Sequence, residues 1–320
     1  MERVHWSALA LSSDASGARV NVTARDQDIW PVDCRYLSTS ILARRNPFPE
    51  DSRIDFVEST HKYYIDGREA LISVTGFVHA PFPAFDTQRT ITSMSLKTRE
   101  SKYHGLTDKQ IARAWAQNAD EASRLGTCMH AAMEVYLNTG YLSQDARIAQ
   151  ETIMIKDFVD KEITAKGLVV YRTEPTIFAD DPVTGLLLPG SVDCIFYDPQ
   201  LQEYGVLDWK RSKEIVKTAF GRYGYGLGAF SSLENTNFYQ YSLQLHTYCH
   251  ILRKYYHLNV NPKRLYMIVI HPNYPSYQMI AAADVGELVE KELFKFPQKY
   301  IALSQEHKLA EVASHAWRDS

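Results

Sequence analysis

Cysteine is scarce and scattered. The 320-residue chain has only Cys34, Cys128, Cys194 and Cys249, and no two of them form a Cys-x-x-Cys pair. This argues against a zinc ribbon or an iron–sulfur cluster and fits free thiols in a reducing, intracellular compartment. No apolar run approaches the ~20 residues of a membrane span, and no signal-peptide core opens the chain. Asp14, Asp26, Asp28 and Asp33 make its start unlike an acid-poor organellar presequence. A membrane is therefore not an expected partner. A dominant charge sign is missing too: the formal net charge is −3, so any attraction for phosphate must come from a local patch. Internal repeats and low-complexity tracts are absent. What remains is a chain of 45% hydrophobic content, enough for one large domain or a domain with an added lobe.

Residues 1–55 show weak periodicity and many turn formers, and read as an arm or accessory segment ahead of a domain over 56–320. A hairpin is expected from His61–Ile65 and Ala70–Val74 around an Asp66-Gly67 tip. Thr107-x-x-Gln110 has the form of a capping box opening a helical region, and the helical pattern resumes from Asp120 to Leu137. Another helix is expected over 145–166. Strands follow near 168–178, 187–197 and 203–211, then a helix near 238–257, strands near 264–270 and 276–281, and a helical tail. That order predicts an α/β fold, a mixed central sheet flanked by helices.

Gly190-Ser191-Val192-Asp193 and Val206-Leu207-Asp208-Trp209-Lys210 lie on two strand-like segments separated by the turn-forming Asp198-Pro199. Residues two apart share a face, so Asp208 and Lys210 point together and Trp209 points away. If the antiparallel register sets Asp193 opposite Asp208, two carboxylates converge on one cation. Mg²⁺ or Mn²⁺ is the natural guest, since hard ions favour oxygen. Lys210 beside them could orient or deprotonate an attacking water. The same Asp-x-Lys pattern also occurs on solvent-facing strands, but the apolar surroundings make unpartnered charges costly here.

Two further stretches carry chemistry. His130 and Glu134, four apart, flank the apolar stripe of one helix. They suit a metal ligand and its neighbour, or equally an exposed pair or a satisfied core histidine; imidazole would favour Mn²⁺. Downstream, Tyr241, Gln244 and Tyr248 recur at helical spacing and could meet phosphate oxygens or stack on bases, or simply pad the core. Ahead of them Lys210, Arg211, Lys213, Lys217 and Arg222 form a local basic run. Phe220, Tyr223, Tyr225 and Phe230 interleave in the glycine-rich loop that follows. Such a loop suits a nucleic-acid strand, though a solvated charged face has the same composition.

Taken in order, Gly126-Thr127 with His130 and Glu134, then Glu174, Gly190-Ser191-Val192-Asp193, Asp208-Trp209-Lys210, and Gln244 with Tyr248 resemble the motifs of RecB-like nucleases. These belong to the PD-(D/E)XK superfamily. The resemblance spans roughly residues 57–272 and includes Ser73-Val74-Thr75 in the preceding segment. It is nearest to exonuclease-like proteins of large eukaryotic DNA viruses, with wider kinship to the mitochondrial genome-maintenance exonuclease and lambda exonuclease. Val192 stands where the superfamily name has proline, and the cysteines that hold an iron–sulfur cluster in some relatives are absent. The resemblance implies a restriction-endonuclease-like core with a helical N-terminal addition, and a Mg²⁺- or Mn²⁺-dependent deoxyribonuclease, more an exonuclease than not. A structure-specific endonuclease and a catalytically silent binding module of the same fold are the alternatives. Carried over by residue, it implies a metal held by His130, Asp193, Asp208 and the Trp209 carbonyl, with Lys210 at the water. Gln244 and Tyr248 would hold the DNA backbone or brace the site, with Glu134 and Glu174 in support. DNA is the implied partner; no oligomeric state follows.

Overall fold

In a computed structural model, residues 29–57, 60, 62–93, 101–219 and 224–319 are described. The first elements are a short helix α1 (Ile41–Arg45) and the strands β1 (Ile54–Val57), β2 (Lys62–Ile65) and β3 (Arg68–Glu69). They form one antiparallel three-stranded sheet in the order β1-β2-β3, so the addition ahead of the main body is not purely helical. Position 55, where the sequence suggested a boundary, falls inside β1. The preceding segment is tied to the body: the Asn46 side chain donates to the Tyr171 carbonyl, Arg172 pairs with Asp51, and Phe48 is buried against Tyr256.

Asp66-Gly67 forms the expected tip, but the return strand is β3, not Ala70–Val74. Val74 instead opens helix α2 (Val74–His79). Val74, Phe77 and Val78, at i, i+3 and i+4, are all buried, and that helical stripe outweighs the strand preference of Val74-Thr75. Helix α3 (Thr87–Ser93) follows. Helix α4 (Asp108–Thr139) is one uninterrupted helix where the sequence suggested two. The Thr107–Gln110 capping box is formed, and Gly140, at φ 77°, ends the helix in the left-handed conformation. Helix α5 (Ala149–Phe158) continues into a π-helical segment, Val159–Thr164.

The expected strands 168–178 and 187–197 each break in two. They become β4 (Val169–Thr173), β5 (Thr176–Asp181), β6 (Leu186–Ser191) and β7 (Cys194–Asp198). Pro175 brings no backbone donor, Glu174 has φ +45°, and Val192–Asp193 lies opposite. Glu174 N–H donates to the Asp193 carbonyl, and Val192 N–H to that of Pro175. Beyond this joint β5 and β6 form a separate ribbon, while β4 and β7 join the main sheet with β8 (Glu203–Lys210). Helix α6 (Asn237–Lys254), β9 (Val260–Val269), β10 (Gln278–Ala281) and helix α7 (Pro297–Asp319) complete the chain.

The result is a mixed α/β architecture. The central sheet runs β10-β9-β8-β7-β4, with β8 and β9 parallel and the other pairs antiparallel. Alternation along β8 sorts its side chains: Leu207 and Trp209 pack with Met129, Met133 and Phe158 of α4 and α5, and Val206 packs with Leu243 and Leu245 of α6. Among the described residues no helix is long and apolar enough to cross a membrane. Gly190 is needed for close approach, because a Cβ there would lie 2.8 Å from Val74 and 2.9 Å from Tyr248. The strand carrying Ser191 toward Asp193 thus lies directly against α2 and α6.

Candidate metal centre

The break between the two sheets sets the geometry of the centre. Cys194 pairs with Leu207 across β7 and β8; one step further along, that antiparallel register sets Asp193 level with Asp208. The Oδ2 of Asp193 accepts from Trp209 N–H at 2.6 Å. Glu174, at the opposite bend, turns its Oε2 to the Ser191 hydroxyl (3.2 Å) and its Oε1 to Nδ1 of His130 (3.3 Å). His130 comes from α4 on the far side of the sheet, and its Nε2 lies 3.0 Å from the Trp209 carbonyl. A carbonyl only accepts, so Nε2 carries a proton and Nδ1 faces the carboxylates. Asp193 Oδ1 is 3.7 Å from that same Nδ1.

One ligand atom from each of His130, Glu174 and Asp193 lies within 4.8 Å of the others. A neutral imidazole would aim its Nδ1 lone pair at two carboxylates, which is repulsive unless a proton or a cation stands between them. The bare protein uses a proton. Burial works against the imidazolium, but Asp193 and Glu174 prevail and push His130 up to about 9. Burial also raises Asp193, against the pull of His130. Two carboxylate oxygens and an imidazole nitrogen could together hold a metal ion.

Asp208 and Lys210 share a face, as strand alternation requires, and form an ion pair of 2.7 Å beside the three donors. Asp208 is 2% exposed. Burial pushes its carboxyl up to about 6 even with the lysine beside it. Burial opposes the Lys210 charge as well, but Asp208 and Asp193 hold its pKa above the usual lysine value. In the metal-free protein Lys210 is therefore held as an ammonium. Its Nζ lies 3.4 Å from Gln244 Oε1 and 4.4 Å from the centre of the Tyr241 ring. Gln244 in turn donates to the Tyr248 hydroxyl at 3.0 Å.

In the metal-free protein the Trp209 carbonyl faces His130 Nε2 and Asp208 pairs with Lys210, while Glu174 joins His130 and Asp193 in a group of three donors. Tyr248 is 2% exposed, which leaves it bracing Gln244 with no surface to offer a backbone. Arg211 pairs with the buried Glu151 at 2.8 Å and is withdrawn from any phosphate. Lys213 and Lys217 are exposed, and the Lys217 ammonium rests over the Phe238 ring. Arg222, with Phe220, Gly221 and Tyr223, lies outside the described residues. Glu134, one turn beyond His130, is pushed up to about 8 by burial and then by Glu174, and bonds the Thr39 side chain. Nothing in the local pattern around Thr39 singles it out. Ser191 could have been found, since it lies two residues before Asp193 and turns toward the opposite bend.

These shifts predict how stability depends on pH in the metal-free protein. At His130 and Glu134 the fold binds more protons than the unfolded chain, so the contribution of these two groups to stability falls as pH rises. The His130 contribution is complete below about 6.5 and gone above about 9. That of Glu134 declines from 4.5 and levels off above about 8. Melting in EDTA should therefore weaken steadily from pH 6.5 to 9, and Mn²⁺ should offset the loss increasingly toward high pH. A His130→Gln variant whose melting in EDTA declined as steeply as wild type between about pH 7.5 and 9 would refute the assignment to His130.

No family model matches the chain, and no curated protein matches it.

Proposed function

We propose that this chain is a divalent-metal-dependent deoxyribonuclease of the PD-(D/E)XK type, acting as an exonuclease. The observation that carries the proposal is the His130 Nδ1 held against Glu174 and Asp193, with the buried Asp208–Lys210 pair on the adjoining strand. The break of two long strands at the carboxylates, and the mixed sheet around them, are compatible with the core that the motif order implies.

His130, Glu174 and Asp193 would hold an ion, which would supply Lewis acidity and positive charge at a scissile phosphate. The other roles belong to the chain. The Lys210 ammonium donates hydrogen bonds to the attacking water or to a phosphate oxygen, and its charge opposes the negative charge that builds up there. Asp208 fixes the lysine from one side. Gln244, braced by Tyr248, and the Tyr241 ring fix it from the others. Ser191 holds Glu174 so that the other carboxylate oxygen faces His130.

The test uses purified protein with Mn²⁺ or Mg²⁺ on end-labelled linear single strands, linear duplex and circular single-stranded DNA. Loss of linear DNA with the circle spared is the expected result. Cutting of the circle would move the assignment to an endonuclease. A folded, metal-binding protein that cuts none of them would be a nucleic-acid-binding module.

A further inference from the structure

The segment around α1 is fastened to both elements that bring His130 and Glu174 together. Its Asn46 side chain donates to the Tyr171 carbonyl at 2.8 Å, and the Arg172 side chain donates to the Asn46 carbonyl at 2.9 Å. Both contacts lie on β4, directly before Thr173 and Glu174. The other element is α4, which α1 meets at Asn138, two turns beyond His130.

Asn138 is buried at this crossing. Leu42 belongs to the first turn of α1, where backbone N–H groups have no partner within the helix, and the Ser40 side chain does not cap it. Asn138 does so from α4: its Oδ1 accepts from Leu42 N–H at 3.0 Å. Its Nδ2 donates to the Glu134 carbonyl one turn back at 2.9 Å, and to the Thr173 hydroxyl at 2.8 Å. Both amide protons and the amide oxygen are therefore engaged, on α4, β4 and α1 together. Aspartate would lose both donors, and an apolar side chain would also leave Leu42 N–H without its acceptor.

We infer that Asn138 is a positioning residue for the metal centre, and that its bond to Thr173 sets the separation of His130 and Glu174. This rests on the metal-holding role given above to His130, Glu174 and Asp193. His130 and Asn138 are on one uninterrupted helix, about 12 Å apart along its axis, so a shift of α4 against β4 at Asn138 is passed on to His130. Glu174 follows Thr173 directly. The 3.3 Å approach of His130 Nδ1 to Glu174 Oε1 thus depends on the bond that ties their two elements. Metal sites are sensitive to such support, because a ligand held loosely loses the geometry the ion needs. The α1 segment, through Leu42, keeps the Asn138 amide turned toward Thr173 and is part of that support.

The experiment measures Mn²⁺ affinity by paramagnetic resonance of the free ion, and melting in EDTA, for wild type, Thr173→Val, Thr173→Ser, Asn138→Ala and the double variant Asn138→Ala/Thr173→Val. Thr173→Val keeps the side-chain shape and removes the oxygen that accepts from Asn138. It should weaken Mn²⁺ binding by about tenfold, whereas Thr173→Ser should bind as wild type does. Asn138→Ala should lose at least as much, and the double variant no more than Asn138→Ala, since both changes remove one shared bond. Thr173→Val carries the test even if Asn138→Ala fails to fold. A merely structural role would lower the melting temperature of Thr173→Val and leave its Mn²⁺ affinity unchanged. That result overturns the inference, as do additive losses in the double variant. Neither readout needs DNA cleavage, which keeps the failures apart. If wild type and Thr173→Val bind Mn²⁺ equally, only the positioning role falls; if wild type binds none, the metal-holding role falls with it.

Discussion

Asp193→Asn should reduce Mn²⁺-dependent cleavage by about a thousandfold or more while leaving the protein folded. The charge of this carboxylate is used twice, by His130 and by any ion held there, and removing a metal-holding carboxylate removes most of what the ion contributes. Asparagine keeps an oxygen that can accept from Trp209 N–H, the bond Asp193 makes at 2.6 Å, so the β7–β8 register should survive. Without the anion, His130 also loses the larger of the charges that raise it. Mn²⁺ titration calorimetry should therefore show weakened binding alongside the lost cleavage. Near-wild-type turnover would place the chemistry elsewhere in the molecule.

Lys210→Met is expected to cost both rate and stability. Removing the ammonium leaves Asp208 buried without its partner, and breaking a buried pair in this way costs about 3–5 kcal/mol. The loss should appear as a lower midpoint in urea. Part of it should return at pH 5, where the Asp208 carboxyl, already pushed up to about 6, takes up a proton. Adding Asp208→Asn to Lys210→Met should restore much of the stability and none of the cleavage, since the cation at the phosphate is still missing. If Lys210→Met melted like wild type at pH 8, the pair would be solvated and the buried description of this strand would be wrong.

The parts of the centre that were legible in the sequence are those set by strand alternation. Asp208 and Lys210 lie together because they are two apart, Trp209 turns away, and the turn at Asp198-Pro199 set the register. The same rule foretells Arg211: next to Lys210, it points to the opposite face, where Glu151 takes it. A basic run counted by composition hides that. The break at Glu174 was signalled by Pro175, but the apolar residues on both sides made one strand look continuous. Val74-Thr75 misled in the other direction, because β-branched residues favour a strand until a helical stripe is buried. Contacts between distant segments, such as Thr39 with Glu134 or Asn46 with the Tyr171 carbonyl, have no local signature.

The joint at Glu174 and Asp193 is clamped from both sides. Beyond it the β5–β6 ribbon runs through the core, where Ile177, Ala179, Leu186 and Leu188 are fully buried, while Val183 at its turn is 91% exposed. Bonds from Glu174 N–H to the Asp193 carbonyl and from Val192 N–H to the Pro175 carbonyl cross-link the joint itself. The spacing of the two carboxylates is thereby set by packing and backbone pairing, remote from the exposed turn.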